Sequence, residues 1–162
     1  MIILYPGRFQ PFHNIHLRLL KKLLGKENRV VIVIGSSDLV NENNPFTARQ
    51  RKKMIKAVIA DECLDSKRIS FALLPNEEDD SVWVTHLLAH VPKRFDAVFS
   101  NNPRVTFQLK KHGIKCISTG LIKADKYSAS IVRSLIKEDG AWKKLVPKSV
   151  AKFITSSAND WV

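Results

Sequence analysis

The chain has 162 residues, of which 44% are hydrophobic and 26% charged, a composition typical of one globular domain. Its 27 lysine and arginine residues outnumber 15 aspartate and glutamate residues, and the net charge of +12 favours anionic partners such as nucleotides. No zinc-binding or RNA-binding motif accompanies these cations, so nucleic acid is not an expected partner. No apolar run approaches the roughly 18 residues that span a bilayer, and no basic region typical of a signal peptide begins the chain. We therefore expect a cytoplasmic protein without a membrane segment.

Apolar runs alternate with amphipathic patterns of helical period along the chain. The runs predict strands at residues 2–5, 30–35, 69–74, 97–100 and 114–118. The amphipathic patterns predict helices at residues 14–25, 48–60, 82–91, 104–112, 128–138 and 148–155. Because a helix follows each strand, we predict an α/β fold with a parallel five-stranded sheet and helices on both faces. Residues 1–162 form a single domain in this prediction, with a helical C-terminal segment from about residue 128.

The first predicted strand leads into the motif Gly7-Arg8-Phe9-Gln10-Pro11-Phe12-His13-Asn14-Ile15-His16. Ligands of a parallel α/β sheet bind beyond the carboxyl ends of its strands, so this loop is the first place to look for a site. His13 and His16 lie three residues apart at a predicted helix start, where they share one face. The N–H groups of a helix N-terminus bind phosphate, and Arg8 adds a cation. The motif therefore predicts a polyphosphate site, with ordinary loop histidines as the alternative.

The same reasoning directs attention to residues 35–38, 75–80, 100–103 and 118–130, which follow the other predicted strands. Near the second of these segments, Glu77-Glu78-Asp79-Asp80 precedes Trp83, a combination suited to a cationic aromatic ring. A solvated acidic loop and a core tryptophan are the alternative. Arg51 lies one turn into a helix with the capping-box pattern Thr47-Ala48-Arg49-Gln50 and could clamp a phosphate. A solvated arginine is the alternative for that position.

A further predicted helix begins near Ser128, which suits an N-cap. Ser130 and Arg133 lie three residues apart, so a hydroxyl and a guanidinium can face one ligand. The alternative is a capped helix with an exposed arginine.

The motif of residues 7–16 resembles the GRFxPxHxGH signature of the nucleotidyltransferase superfamily, the adenylyl- and cytidylyltransferases. More specific segments recur in order: Asn44-Pro45-Phe46-Thr47-Ala48 with Arg51 and Met54, Val82-Trp83-Val84 with His86, Ser100-Asn101-Asn102-Pro103, Tyr127-Ser128-Ala129 with Val132-Arg133, and Asp139-Gly140 with Trp142, Leu145, Pro147 and Ser149. Together they resemble the archaeal-type nicotinamide-nucleotide adenylyltransferases over about residues 1–155.

That resemblance implies a Rossmann-like fold, a homo-oligomer (often a hexamer) and the reaction of ATP with nicotinamide mononucleotide to give NAD and pyrophosphate. It implies an ATP site made of Gly7, Arg8, Phe9, His13, His16, Ser128, Ser130 and Arg133. It implies a mononucleotide site made of Arg51, Trp83, Asn101 and Asn102. Arg8, His13 and His16 are the expected catalytic residues, and Lys126 is a further candidate cation. The expected metal is Mg²⁺, held mainly by the ATP phosphates rather than by a dedicated set of protein ligands.

Three positions depart from the family pattern: Ile15 replaces glycine, Ser130 replaces threonine and Ile131 replaces glutamate. Ser130 keeps the hydroxyl, whereas Ile15 adds a branched side chain where glycine lets a ligand approach the backbone. Two alternative functions stay open on sequence. One is a sister nucleotidyltransferase with another phosphate acceptor, such as phosphopantetheine, flavin mononucleotide or glycerol phosphate. The other is a relative that binds nucleotides or nucleic acid and has impaired catalysis.

Overall fold

The computed structural model describes residues 1–119 and 128–157. Its strands are β1 (Ile2–Gly7), β2 (Arg29–Ile34), β3 (Ile69–Leu73), β4 (Ala97–Phe99) and β5 (Cys116–Ile117). Its α-helices are α1 (Asn14–Leu24), α2 (Ala48–Asp61), α3 (Trp83–His90), α4 (Pro103–Lys111), α5 (Ala129–Lys137) and α6 (Lys148–Ser156). Short 3-10 helices cover Ser66–Arg68 and Trp142–Leu145. The predicted α/β fold is confirmed, and its division into one domain with a helical C-terminal segment stays a prediction.

The strands form one parallel sheet in the order β3-β2-β1-β4-β5. The chain builds outward from β1 to β3 and then crosses back to β4 on the other side of β1. In such sheets, ligands bind in the crevice at this switch point, between the carboxyl ends of β1 and β4. β4 pairs with β1 only at Ile3 and Leu4, so Pro6 lies beyond that ladder and a central strand tolerates it.

The core has two layers, because side chains of a strand alternate between the faces of the sheet. On one face, Ile3 and Tyr5 of β1 pack with residues of α1, α2, α5 and α6, including Leu20, Met54, Val132 and Val150. On the other face, Leu4 packs with residues of α3 and α4, including Val84, Leu87 and Leu109. Within the two described ranges, no helix combines the length and the apolar character needed to cross a membrane.

The helices that border the switch point begin at polar caps. Thr47 Oγ1 accepts the N–H of Gln50 at 3.2 Å, and Gln50 Oε1 accepts the N–H of Thr47 at 2.8 Å, so the predicted capping box of α2 is confirmed. Ser128 caps α5 by accepting the N–H of Ile131 at 3.4 Å, and Asn102 caps α4. These caps fix the loops that lead from the sheet edge into the helices.

Candidate active site

Two cavities lie at the carboxyl ends of the strands, and the first is built around the motif of residues 7–16. Its volume is about 370 Å³, and the N-termini of both α1 and α5 contribute to its wall. The predicted ATP-binding residues that line it are Arg8, Phe9, His13, His16, Ser128, Ser130 and Arg133. They come from two segments, residues 8–16 and 128–133, which are more than a hundred positions apart in sequence. The fold therefore brings the two predicted phosphate-binding segments together.

His13 and His16 stack against each other at the start of α1. Their ring centroids are 3.6 Å apart with 23° between the planes, and the ring of Phe9 lies 4.9 Å from that of His16. The backbone N–H of His13 donates to Nδ1 of His16 at 3.2 Å. A neutral imidazole that accepts through Nδ1 carries its proton on Nε2, so His16 is a hydrogen-bond donor through Nε2.

Burial keeps both histidines uncharged at neutral pH. The side chain of His13 is only 6% exposed, and burial lowers its pKa to about 4. Burial and then the neighbouring His13 lower the pKa of His16 well below its usual value. The pair therefore offers neutral imidazoles to a ligand, while the positive charge of the cavity comes from arginines.

Arg8 supplies that charge from the motif loop, and Arg133 supplies it from α5. Arg8 is exposed at the end of β1, whereas Arg133 is half-buried on α5 and donates to the carbonyl of Gln10 at 2.8 Å. Partial burial and then the charge of Arg8 lower the pKa of Arg133, which indicates that the two cations act on each other. No carboxylate stands among the described residues that line this cavity. The cavity is therefore suited to an anion with several charges.

Two hydroxyls complete the first cavity at the N-terminus of α5. The Oγ atoms of Ser128 and Ser130 lie 2.7 Å apart, and Ser130 is exposed. Free N–H groups and hydroxyls at a helix N-terminus are typical of phosphate sites. Lys126, the further candidate cation, and Tyr127 lie outside the described residues.

The second cavity has a volume of about 330 Å³ and is lined by Trp83 at the start of α3, by Asn102, and by residues that follow β1, β2 and β3. Trp83 is half-buried and packs partly against the core on that face of the sheet. Ser36 donates from Oγ to Oδ1 of Asn76 at 2.9 Å in the lining of this cavity, and Glu77 and Asp80 add carboxylates. Arg8 lines both cavities, so the two cavities meet at this residue.

Three predicted site residues stand elsewhere than the resemblance implies. Gly7 lines the second cavity, and a Cβ there would lie 2.8 Å from Cζ of Phe9, so glycine makes room for that ring. Asn101 lines the first cavity, and its Oδ1 accepts from Oγ of Ser118 at 2.9 Å. Arg51 is not among the residues that line either cavity and is fully buried beneath them. The predicted ligand contacts of these residues stay predictions.

Sequence reasoning missed Gln10, which holds the motif loop. Gln10 is 1% exposed, donates from Nε2 to the carbonyl of Phe46 at 2.8 Å and accepts the N–H of Phe46 at 3.0 Å. A polar residue beside proline in a loop gives no sequence signal for burial. Ser36 and Asn76 were missed as individual residues, although both lie in segments that follow predicted strands.

Known proteins match this chain over nearly its whole length. Residues 4–135 match the family model described as cytidylyltransferase-like. The nicotinamide-nucleotide adenylyltransferase of Saccharolobus solfataricus is 36% identical over 158 residues, which cover 97% of this chain and 91% of that protein. The protein of the same name from Thermococcus kodakarensis is 35% identical over 152 residues, which cover 93% of this chain and 80% of that protein.

A solved structure with the same fold comes from Francisella tularensis: a bifunctional NMN adenylyltransferase/ADP ribose pyrophosphatase complexed with AMP and a manganese ion. The TM-score is 0.77 at 21% identity, and the match covers 98% of this chain and 49% of that one. This chain thus spans about half the length of the bifunctional protein, and the likeness concerns the fold. The family resemblance drawn from the motifs is confirmed by the curated relatives. With 35–36% identity to them along almost all of its length, the chain belongs to the nicotinamide-nucleotide adenylyltransferase family.

Proposed function

We propose that this protein transfers AMP from ATP to nicotinamide mononucleotide and releases NAD and pyrophosphate. The observation that carries the proposal is that a cavity lined by arginines, histidines and serine hydroxyls and a second cavity lined by Trp83 share Arg8. A reaction between two nucleotides needs both substrates side by side, with their phosphates adjacent. The names of the relatives, which match nearly the full chain, support the same reaction.

The first cavity takes ATP in this proposal. Its two helix N-termini, two arginines and two serine hydroxyls suit the phosphates. Ile15 lines the same cavity, and its branched side chain takes up part of the space beside the nucleoside. The neutral histidines donate hydrogen bonds without requiring a proton to be taken up first.

The second cavity takes the mononucleotide. Trp83 offers a ring on which the nicotinamide can stack. The nicotinamide ring of the mononucleotide is a cationic pyridinium, and the carboxylates of Glu77 and Asp80 in the same wall favour a cation. Asn102 lines this cavity, whereas its neighbour in the chain, Asn101, lines the first cavity. The phosphate of the mononucleotide then points toward Arg8.

The mechanism is in-line displacement at the α-phosphorus of ATP. An oxygen of the mononucleotide phosphate forms the new bond to the α-phosphorus, and the bond from this phosphorus to the bridging oxygen of the β-phosphate breaks. Pyrophosphate leaves with the electron pair, so no side chain acts as a covalent nucleophile. His16 donates through Nε2 to phosphate oxygens as negative charge moves toward the leaving group, and Arg8 neutralises charge on both substrates.

Mg²⁺ enters this proposal as part of the ATP substrate. The described lining of the first cavity offers hydroxyls and imidazoles but no carboxylate, and Mg²⁺ prefers oxygen ligands. Within residues 1–119 and 128–157, no group of three or more His, Cys, Asp or Glu side chains is placed to hold a metal ion. Phosphate oxygens and water are therefore the expected ligands. Assembly into a homo-oligomer stays a prediction.

The proposal is tested by incubating purified protein with MgATP and one acceptor at a time, and by separating the products chromatographically. The acceptors are nicotinamide mononucleotide, nicotinic acid mononucleotide, phosphopantetheine, flavin mononucleotide and glycerol phosphate. We expect turnover with a pyridine mononucleotide and none above background with the other three. Turnover confined to one of those three would identify a sister enzyme and overturn the proposal.

A further inference from the structure

Arg51 is the largest fully buried side chain among the described residues, with 0% of its surface exposed. It lies in the first turn of α2, directly after the capping box that begins at Thr47. A charged side chain is almost never buried unless it is paired or fully hydrogen-bonded. Its position beneath the junction of the two cavities therefore needs a specific explanation.

Backbone carbonyls surround the guanidinium of Arg51. Nη1 donates to the carbonyls of Arg8 and Gly35, both at 2.7 Å. Nη2 donates to the carbonyl of Ser36 at 3.0 Å, and Nε donates to that of Thr47 at 3.4 Å. Arg8 directly follows β1, and Gly35 and Ser36 directly follow β2, so one side chain ties together the ends of two adjacent strands.

These bonds continue the pairing of β1 and β2 beyond the end of the sheet. The last backbone bond between the two segments runs from the N–H of Gly35 to the carbonyl of Gly7 at 2.9 Å. Arg8 comes next in the chain, and its carbonyl has turned toward Arg51. The guanidinium of Arg51 thus fixes the backbone of Arg8, a residue that lines both cavities.

Within residues 1–119 and 128–157, no carboxylate pairs with the charge of Arg51, since none of the ion pairs there includes it. Burial and then the charge of Arg8 lower its pKa to about 10, so it stays protonated at neutral pH. Because the planar fork of an arginine fits several carbonyls at fixed angles, a lysine cannot reproduce all of these bonds.

We propose that Arg51 is a positioning residue for adenylyl transfer: it holds the backbone at Arg8 and Ser36 in the reactive arrangement and touches neither substrate. This inference rests on the proposed function. It replaces the expectation that Arg51 contacts a phosphate, because four of its five N–H groups already donate to backbone carbonyls and the side chain is fully buried. Arg8 is then the group through which Arg51 affects the reaction.

A double-mutant cycle tests the proposal by comparing Arg51→Lys with wild type, and Arg51→Lys/Arg8→Ala with Arg8→Ala. A small displacement of a reacting group can cost about 10²-fold in rate, so we expect Arg51→Lys to lower kcat by about 10- to 100-fold. We expect KM for both substrates to change less than about threefold, and the kcat loss to shrink to under about threefold when Arg8 is already absent. An equal loss in both backgrounds would overturn the proposal, as would an unchanged kcat with only a lower melting temperature.

Arg49→Lys is the matched control, since Arg49 is an exposed arginine in the same helical turn and this variant is expected to keep wild-type kcat.

A measurement on wild-type protein removes dependence on variant folding. Phenylglyoxal modification, mapped by mass spectrometry, should label Arg8 in the free protein, lose that label when ATP is added and leave Arg51 unlabelled throughout. Labelling of Arg51 that nicotinamide mononucleotide alone prevents would show direct contact and overturn the proposal. If wild type forms no NAD, the proposed function fails instead, independently of the cycle.

Discussion

The backbone N–H of His13 donates to Nδ1 of His16 at 3.2 Å, while the two rings stack with centroids 3.6 Å apart. This relationship fixes the tautomer of His16 and leaves its Nε2–H as the donor. A residue of the loop therefore orients a residue of α1, and the spacing of three in the motif is what makes the bond possible.

His16→Ala should lower kcat by about 10²- to 10³-fold, because it removes a preorganised donor to charge that develops on the phosphates. The Kd for ATP should change much less, since two arginines still hold the phosphates. Steady-state kinetics and a direct ATP titration measure the two effects. His90→Ala is the control, since His90 is an exposed histidine on α3. A kcat for His16→Ala within a few fold of wild type would leave His16 only a structural role.

His13 should make folding stability depend on pH in the mildly acidic range. Its pKa is about 4 in the folded protein against an ordinary value of 6.5. Between these values the unfolded chain binds a proton that the folded protein does not, so stability falls as pH falls from about 6.5 toward 4. From pH 7 to pH 5 the loss attributable to His13 is roughly 2 kcal/mol, at about 1.4 kcal/mol per pH unit.

Urea unfolding of wild type and His13→Asn at pH 7 and at pH 5 measures this loss of stability. The free energy of unfolding should fall further for wild type than for His13→Asn, whereas His90→Asn should behave like wild type. Equal losses for wild type and His13→Asn would show that His13 titrates normally in the folded protein.

Trp83→Ala should raise KM for nicotinamide mononucleotide about 5- to 160-fold and KM for ATP much less, as expected for a stacking contact of roughly 1–3 kcal/mol. Trp83 also packs partly against the core, so the melting temperature of the Trp83→Ala variant must be measured together with its kinetics. Trp83→Phe keeps an aromatic ring and should retain most of the affinity. Equal increases in both KM values would assign Trp83 to packing alone.

Ile15→Ala should lower KM for ATP or shift the preference between ATP and CTP. Ile15 is half-buried and its side chain lines the first cavity, so its removal enlarges the space beside the nucleoside. Ile15→Gly should act in the same direction, with an added stability loss of roughly 0.5–1 kcal/mol relative to alanine in a helix. If both variants keep the wild-type KM for ATP and the wild-type preference between ATP and CTP, Ile15 has no role in the site.

Local patterns predict most of the fold, because a short stretch of sequence is enough to identify each of these helices and strands. The run Val30-Val31-Ile32-Val33-Ile34 reads as a strand buried on both faces, and Thr47 with Gln50 marks a helix start from side-chain chemistry alone. The edge strand β5 is shorter than the sequence indicates. The apolar pattern predicts a strand over residues 114–118, yet β5 covers only Cys116–Ile117, whereas the other edge strand, β3, agrees with its prediction within one residue.

The sequence predicts the site residues that lie within one motif. It does not predict those whose position depends on tertiary packing. Asn101 and Asn102 are adjacent, yet they line different cavities, and no local pattern distinguishes them. Arg51 has the sequence context of an exposed cation on a helix. Its burial depends on three carbonyls from the ends of β1 and β2, which no local pattern reveals.

Isotope transfer gives the sharpest test of adenylyl transfer between substrates bound in the two cavities that meet at Arg8. ATP radiolabelled at the α-phosphate is incubated with Mg²⁺, nicotinamide mononucleotide and protein, in parallel with ATP labelled at the γ-phosphate. We predict that the α-label appears in NAD, that the γ-label appears in pyrophosphate, and that Arg8→Ala slows both equally. Transfer of the γ-label to the mononucleotide, or no labelled NAD from wild-type protein, would contradict the account.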